Sequence, residues 1–544
     1  MAFIPDTVFS GLTAILTLSL DYNMLTTFPS NTFSGEASLS TLSLTYNQLT
    51  QLPENAFAGL HSLATLSLTG NKLTTFPANA FSCDSSLTTL ALDYNQLTDL
   101  PENAFAGLKS LTSLSLSNNL LTTFPASAFS GDSSLSTLSI DNNKLTVLAE
   151  NAFAGLVSLS SLNLNNNLLT TIPATAFSGD VSLSGLYLNR NELSTFEEGA
   201  FAGLVSLNTL DLSYNQLSML PENAFAGLPS LSSLSLNYNQ LTTIPATAFT
   251  GDSSLTTLYL NNNQLASLPE GAFAGLTGLT SLDLDRNQLT TFPATIFNDS
   301  SALTSLSLSH NLLTSIPAQG FGGLSVLSVL DLSYNKLTAI PVGNFDGAWK
   351  LTSLYLDLNL IGTIHAGSFA GLVQLLYLSF TFHSLLTIPT GAFGGLTSLQ
   401  RVYLSNGPLR AIAAGAFEGD TNLQWLDLSS NHLVSIPANA FAGLSGLQTL
   451  ILFSNALADL DPDALAGLTG LTTLNLASNR LSTLPATLLR GLSSLTIVYL
   501  DYGVSGCVPD TNPNINIIVP DRNLYYGAGN LPLPPWFPLC SGTI

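Results

Sequence analysis

An asparagine recurs every 24 residues along this chain, at Asn23, Asn47, Asn71, Asn95 and onward, and no insertion or deletion breaks the frame. Twenty-one positions from 23 to 503 stand in it; eighteen hold Asn, and the others hold His383, Gly407 and Gly503. A fixed period of this size marks a solenoid, because a unit that short cannot bury its apolar face alone and needs stacked neighbours to close a core. Length alone, at roughly 150 residues per domain, would suggest three or four globular domains. The repeat replaces that expectation with one continuous array.

Each unit reads L-x-x-L-x-L-x-x-N-x-L-x-x-(L/F/I)-P-x-x-x-F-x-G, as in Leu39, Leu42, Leu44, Asn47, Leu49, Leu52, Pro53, Phe57 and Gly59. In x-L-x-L-x the side chains alternate, so both leucines face one side of a short strand. Stacked units should form a parallel sheet. The Asn amide carries donors and an acceptor, so it can satisfy backbone groups where the chain leaves the strand, and stacked asparagines should form a ladder. A second ladder is aromatic: Phe9, Phe33, Phe57 and onward to Phe441, 19 of the 29 phenylalanines, continued by Leu465 and Leu489. Over this lies a 48-residue alternation. Units ending F-(S/T)-G-(D/E), at Phe33, Phe129, Phe177 and Phe249, alternate with units ending F-A-G-L, with one slip at Phe201 and Phe225. Tandem duplication is enough to produce it.

These motifs resemble the leucine-rich repeat family, in the extracellular class that includes Toll-like receptors, variable lymphocyte receptors and small leucine-rich proteoglycans. The resemblance spans residues 1–502. It implies a leucine-rich repeat solenoid of the α/β-type horseshoe, with a curved parallel sheet on the concave face. The convex face would be mostly irregular or made of short helical turns. It further implies a non-enzymatic recognition or adhesion protein, extracellular or at the cell surface, that binds a protein or glycan ligand on the concave face. Residues 503–544, rich in Pro and Asn, read as a C-terminal cap closed by a Cys507–Cys540 disulfide, the alternative being two reduced thiols. The family's usual cap carries more cysteines. The chain opens inside a repeat, at Phe3-Ile4-Pro5, with no signal peptide or capping segment. This leaves two expectations: a longer native protein, or self-association through that end.

Composition limits the partners. Acids outnumber bases 34 to 12, for a net charge of −22, which argues against nucleic acid because phosphate binding needs clustered Lys and Arg. Hydrophobic residues make up 46%, yet polar residues interrupt every apolar run, so no stretch reaches the roughly 20 residues that insertion into a membrane requires. Three cysteines cannot make a disulfide scaffold.

Strand positions that should face a ligand are small and polar over most of the array, as in Thr41, Ser43, Thr45 and Ser113, Ser115, Ser117. Between 355 and 453 they change to Tyr355, Asp357, Tyr377, Phe382, His383, Arg401, Tyr403, Trp425, Asp427, Ile451 and Phe453. Aromatics and Arg are the residue types enriched in binding hot spots, and this stretch also holds two of the three missing asparagines. It is the expected ligand-binding patch; degenerate repeats are the competing account.

Other chemistry finds little support. His310, His383 and His432 lie two or three repeats apart, roughly 10–15 Å, too far to share a zinc ion. Asp283 and Asp285 beside Arg286 suit solvated acids better than a calcium site. No nucleophile elbow, P-loop, zinc-protease helix or dinucleotide fingerprint occurs, so neither catalysis nor a cofactor is expected. Cys83 stands where most units have Gly and reads as a replaced turn residue. Asn298-Asp299-Ser300 is a single glycosylation sequon in an exposed turn. Tyr22, Tyr46, Tyr94, Tyr214, Tyr238 and Tyr334 precede the ladder Asn and should pack along the sheet edge. Two other functions fit the pattern. One is a structural protein stacking end to end into a fibre or matrix. The other, on the recurring Thr26-Thr27 and Thr74-Thr75 pairs, is an ice-binding surface.

Overall fold

The computed structural model describes residues 2–5, 8–9, 11–81, 85–506 and 515–519. The cap cysteines Cys507 and Cys540, and Cys83, lie outside the described residues. Two compact units are present, Met1–Leu265 with Gly271–Leu279, and Ala266–Glu270 with Thr280–Ile544.

Both units are built the same way. Each repeat contributes a three-residue strand whose central residue is buried and whose flanks are half-buried, such as Thr41–Ser43 and Ser233–Ser235. The first unit runs from Thr17–Ser19 to Thr257–Tyr259, the second from Ser281–Asp283 to Asn516–Ile518. Neighbouring strands are parallel and shifted by one period, for instance Thr41↔Thr65 and Leu42↔Leu66. The last strand pairs Ile497 with Asn516, so the sheet takes a further strand from beyond residue 502. Between strands the chain returns through turns, and no helix occurs among the described residues. A parallel sheet of this kind is the expected solenoid, with its return side in turns.

The Asn ladder explains the strict period. Asn239 donates from Nδ2 to Leu236 O at 3.1 Å in its own repeat and to Leu212 O at 3.0 Å in the repeat before. Its Oδ1 accepts from Leu217 N–H at 3.0 Å. One amide thus satisfies three backbone groups on two repeats, at a site where Asn239 is only 8% exposed. The same three bonds recur at Asn47, Asn71, Asn95 and Asn119. A one-residue insertion would move the amide off these partners and leave them buried and unpaired.

The Phe ladder fills the turn side of the core. Phe153 stacks on Phe129 at 6.0 Å and on Phe177 at 5.8 Å between ring centres. In the units with Phe before the Pro, a second ring packs edge-on; Phe124 meets Phe129 at 5.4 Å and Phe153 at 5.7 Å. Such aromatic pairs add to what their burial already contributes.

The residue before each ladder position from Asn23 to Asn479 has a positive φ, from 48° at His310 to 59° at Asn406 among residues with a Cβ, and 71° at Gly70. That conformation costs about 1–2 kcal/mol in residues with a Cβ, which is why Asn recurs there. Where Tyr stands instead, its ring lies along the edge as expected: Tyr22 stacks on Tyr46 at 4.9 Å and Tyr214 on Tyr238 at 4.2 Å. The Tyr46 ring lies over Gly70, so a Cβ there would have to displace it.

Two mutations test the ladders. Asn239→Leu removes all three bonds at near-constant volume and should cost at least about 2 kcal/mol in urea unfolding. Phe153→Ala should cost about 3–5 kcal/mol, because the stacked neighbours cannot close the void.

Candidate functional site

Four rings come together on the open face of the sheet in the second unit. Tyr355, Tyr377, Tyr403 and Trp425 sit on the strands Ser353–Tyr355, Tyr377–Ser379, Arg401–Tyr403 and Trp425–Asp427. Register places Tyr377, Arg401 and Trp425 in one column and Tyr355, Ser379, Tyr403 and Asp427 in the other. The rings therefore zig-zag. Centroids are 5.3 Å apart from Tyr355 to Tyr377, 5.3 Å from Tyr377 to Tyr403 and 6.4 Å from Tyr403 to Trp425, tilted by 35–45°. Each ring is half-buried against its neighbours. Arg401 is exposed between Tyr377 and Trp425, and its guanidinium has no carboxylate partner among the described residues. Burial, only partly offset by the Ser379 hydroxyl, pushes the Tyr377 phenol above its ordinary pKa, with further upward pressure from Tyr403, Tyr355 and Asp357. The phenol is neutral at pH 7.

The acids beside the rings serve the scaffold. Asp357 Oδ1 accepts from Ser379 Oγ at 2.6 Å, Thr381 Oγ1 at 2.6 Å and Thr381 N–H at 2.7 Å, all in the next repeat. Asp427 Oδ1 accepts from Ser429 N–H at 2.9 Å. Phe382 is exposed and holds the positive-φ position before His383. Phe453 is half-buried after the strand Thr449–Ile451, which carries Ile451.

His383 does not belong to this surface. It is 4% exposed and takes over the ladder. Its Nδ1 accepts from Leu385 N–H at 3.2 Å, and its Nε2 donates to Leu404 O at 3.3 Å. Those are two of the bonds that an Asn at 407 would make. The ring fits because residue 407 is Gly; a Cβ there would collide with the imidazole. His383 and Gly407 therefore form a partial replacement of the ladder, with the imidazole buried inside the repeat. Burial lowers the His383 pKa, with the Leu404 carbonyl opposing.

The same repeats carry a second departure. On the turn side, Ala339–Ile340 pairs with Thr363–Ile364, and Thr387–Ile388 with Ala411–Ile412. Most units have Pro directly after this position, which has no N–H to extend a ladder. Ala413 stands there instead and donates to Ile388 O at 2.9 Å. Pro is also missing at Glu197 and Asp461, which donate in the same way to Ile172 O at 3.1 Å and Ile436 O at 3.3 Å, so loss of Pro permits this bond without by itself marking a side strand.

Elsewhere, Asp285 is paired with Arg286 at 3.4 Å and His310 at 3.2 Å and accepts from Ser309 Oγ at 2.8 Å. No cluster of three metal-ligating side chains occurs among the described residues. Asn298 is exposed, while the hydroxyl of Ser300 in the same sequon is buried without a partner. No helix among the described residues is long and apolar enough to cross a membrane.

The family model described as "Leucine rich repeat" matches residues 2–49, 37–97, 277–337, 301–361, 349–409, 397–457 and 445–502. The chain belongs to the leucine-rich repeat family. A second model, the BspA type leucine rich repeat region, matches residues 74–203, 122–256 and 170–304. Among solved structures, a leucine-rich repeat protein of Leptospira interrogans is similar at 28% identity and a TM-score of 0.52, over 75% of this chain and 93% of that one. The Drosophila Toll–Spatzle complex is similar in fold at 22% identity and a TM-score of 0.60, over 92% of this chain and 76% of that one. The Arabidopsis receptor kinase HAESA ectodomain, in complex with an IDA peptide hormone ligand, is similar at 25% identity and a TM-score of 0.50, over 88% and 85%. Comparison with the curated proteins returns no match.

The His383–Gly407 exchange makes a pH prediction. A histidine whose folded pKa lies below its ordinary value of about 6.5 contributes stability above that pH and loses it as pH falls toward the folded value. Unfolding of the wild type and of His383→Asn/Gly407→Asn should therefore diverge between pH 7.5 and 5.5, the wild type losing ground. Parallel curves would refute the assignment. Gly407→Ala alone should destabilise by about 1–3 kcal/mol.

Proposed function

We propose that this protein is a non-enzymatic recognition module, extracellular or cell-surface, that takes a protein or glycan ligand on the open sheet face between Ser353 and Asp427. The observation that carries the reading is the continuous contact of Tyr355, Tyr377, Tyr403 and Trp425 beside Arg401, which is exposed and has no carboxylate partner among the described residues. Half-buried rings already held by their neighbours lose little side-chain entropy on binding, and an exposed Arg among them can supply oriented hydrogen bonds. The remaining open-face positions in the first unit are largely Ser and Thr, such as Thr65, Ser67 and Ser139. Two further departures, the exchanged ladder at His383–Gly407 and the paired side strands, fall in the same repeats. The HAESA ectodomain, a structure of similar fold, was solved with a peptide. The exposed sequon at Asn298 would suit an extracellular setting.

The test is selection of binders on immobilised protein from a glycan array and a random-peptide display library. Binders should lose at least about tenfold in affinity to Arg401→Ala/Tyr403→Ala/Trp425→Ala, a loss of about 1.4 kcal/mol or more. They should be unaffected by Ser115→Ala/Ser139→Ala. Binders indifferent to the triple substitution would place recognition elsewhere.

A further inference from the structure

The alternation of F-S-G-D and F-A-G-L endings has a physical consequence. Aspartate and leucine share one column on the turn side, with Leu108, Asp132, Leu156, Asp180 and Leu204 in succession. By the same 24-residue step, Asp252 falls between Leu228 and Leu276, and Asp420 between Leu396 and Leu444. The aspartates are as deeply buried as the leucines: Asp132, Asp180, Asp252 and Asp420 are all 0% exposed. Both carboxyl oxygens of Asp132, Asp180 and Asp420, and Oδ2 of Asp252, are buried with no hydrogen-bond partner. The remaining Oδ1 of Asp252 accepts from Leu228 N–H at 3.3 Å, one repeat earlier.

A carboxylate cannot be held this way. An isolated buried charge is far more costly than a neutral group, and such a site resolves the conflict by taking up a proton. We propose that these four carboxyls are proton-loaded latches: as neutral acids they fill leucine positions and keep the turns of their repeats closed, and loss of the proton opens those turns.

Burial pushes Asp132, Asp180 and Asp252 up to about 7 and Asp420 up to about 8. The opposing influence is a backbone N–H of the repeat before, from Leu156 for Asp180, Leu228 for Asp252 and Leu396 for Asp420, of which only that of Leu228 comes within hydrogen-bonding geometry; no charged side chain bears on any of the four. An acid whose folded pKa is raised stabilises the fold fully below its unfolded value of about 3.9, and that stability is lost as pH rises through the folded value. The window thus runs from about pH 4 to 8, opposite in sign to the effect of His383. Ordinary carboxylates are already ionised over most of it.

The column itself supplies the test substitution, since leucine is what the other repeats place there. The wild-type unfolding midpoint should fall by more than about 5 °C between pH 5.5 and 8.5. In Asp132→Leu/Asp180→Leu/Asp252→Leu/Asp420→Leu that fall should be abolished or reversed, because the retained His383 acts in the opposite direction. The quadruple variant also controls for the five histidines, which it retains. Hydrogen exchange on the wild type gives a second reading that needs no variant. The amides of Leu135, Leu183, Leu255 and Leu423 donate to the carbonyls of the four aspartates at 3.0–3.1 Å. Their protection should drop by tenfold or more as pH rises, after correction for the intrinsic rate. Leu159 and Leu231, which make the same bond to Leu156 and Leu228, should keep theirs. A level wild-type midpoint, an unaltered slope in the quadruple variant, or equal loss of protection in aspartate and leucine turns would each overturn the proposal.

Discussion

Everything in this molecule depends on one side-chain amide bonding three backbone groups across two repeats. A three-residue strand is too short to hold its place by sheet pairing alone. The buried Asn at its end ties the carbonyl of its own strand to the carbonyl and amide of the strand before, at 3.0–3.1 Å for Asn239. The bond geometry tolerates no slip, because all three partners are buried and none has water to turn to. The rigid period, the in-register leucines and the stacked phenylalanines follow from that restraint.

The departures from the rule are informative because the rule is strict. Where Asn is missing at 383 and 407, the imidazole of His383 occupies the space that Gly407 leaves and supplies two of the bonds that an Asn at 407 would make. The same repeats gain side strands and carry the four contacting rings, so several changes with separate physical causes coincide in one stretch of the second unit. On the turn side of the repeats, aspartates stand buried at leucine positions with carboxyl oxygens that have no hydrogen-bond partner, which is the basis for proposing that they are held neutral.

Much of this was legible in advance. Alternating leucines announced the strand, the asparagine period announced the stacking, and Tyr355, Tyr377, Arg401, Tyr403 and Trp425 were visible as a run of large residues in columns filled mostly by Ser and Thr, with single tyrosines such as Tyr187 and Tyr259 elsewhere. His383 was misplaced because a histidine near a ligand column reads as a contact; only the missing side chain at Gly407 reveals the space its ring occupies. The aspartates were passed over because duplication explained their spacing, and spacing carries no information about solvent. Phe382 was grouped with the rings by proximity in sequence, although it holds the positive-φ position before His383, outside the strand Tyr377–Ser379.

The sequence by itself determined the repeat, its register and the membership of each column, because a fixed period converts position along the chain directly into position across the stack. Only the tertiary structure decided which members of a column are buried, which rings touch and which polar atoms go without partners. Those properties depend on what the neighbouring repeats place in the same space, so Asp132 became a buried filler between leucines and His383 a rung of the ladder.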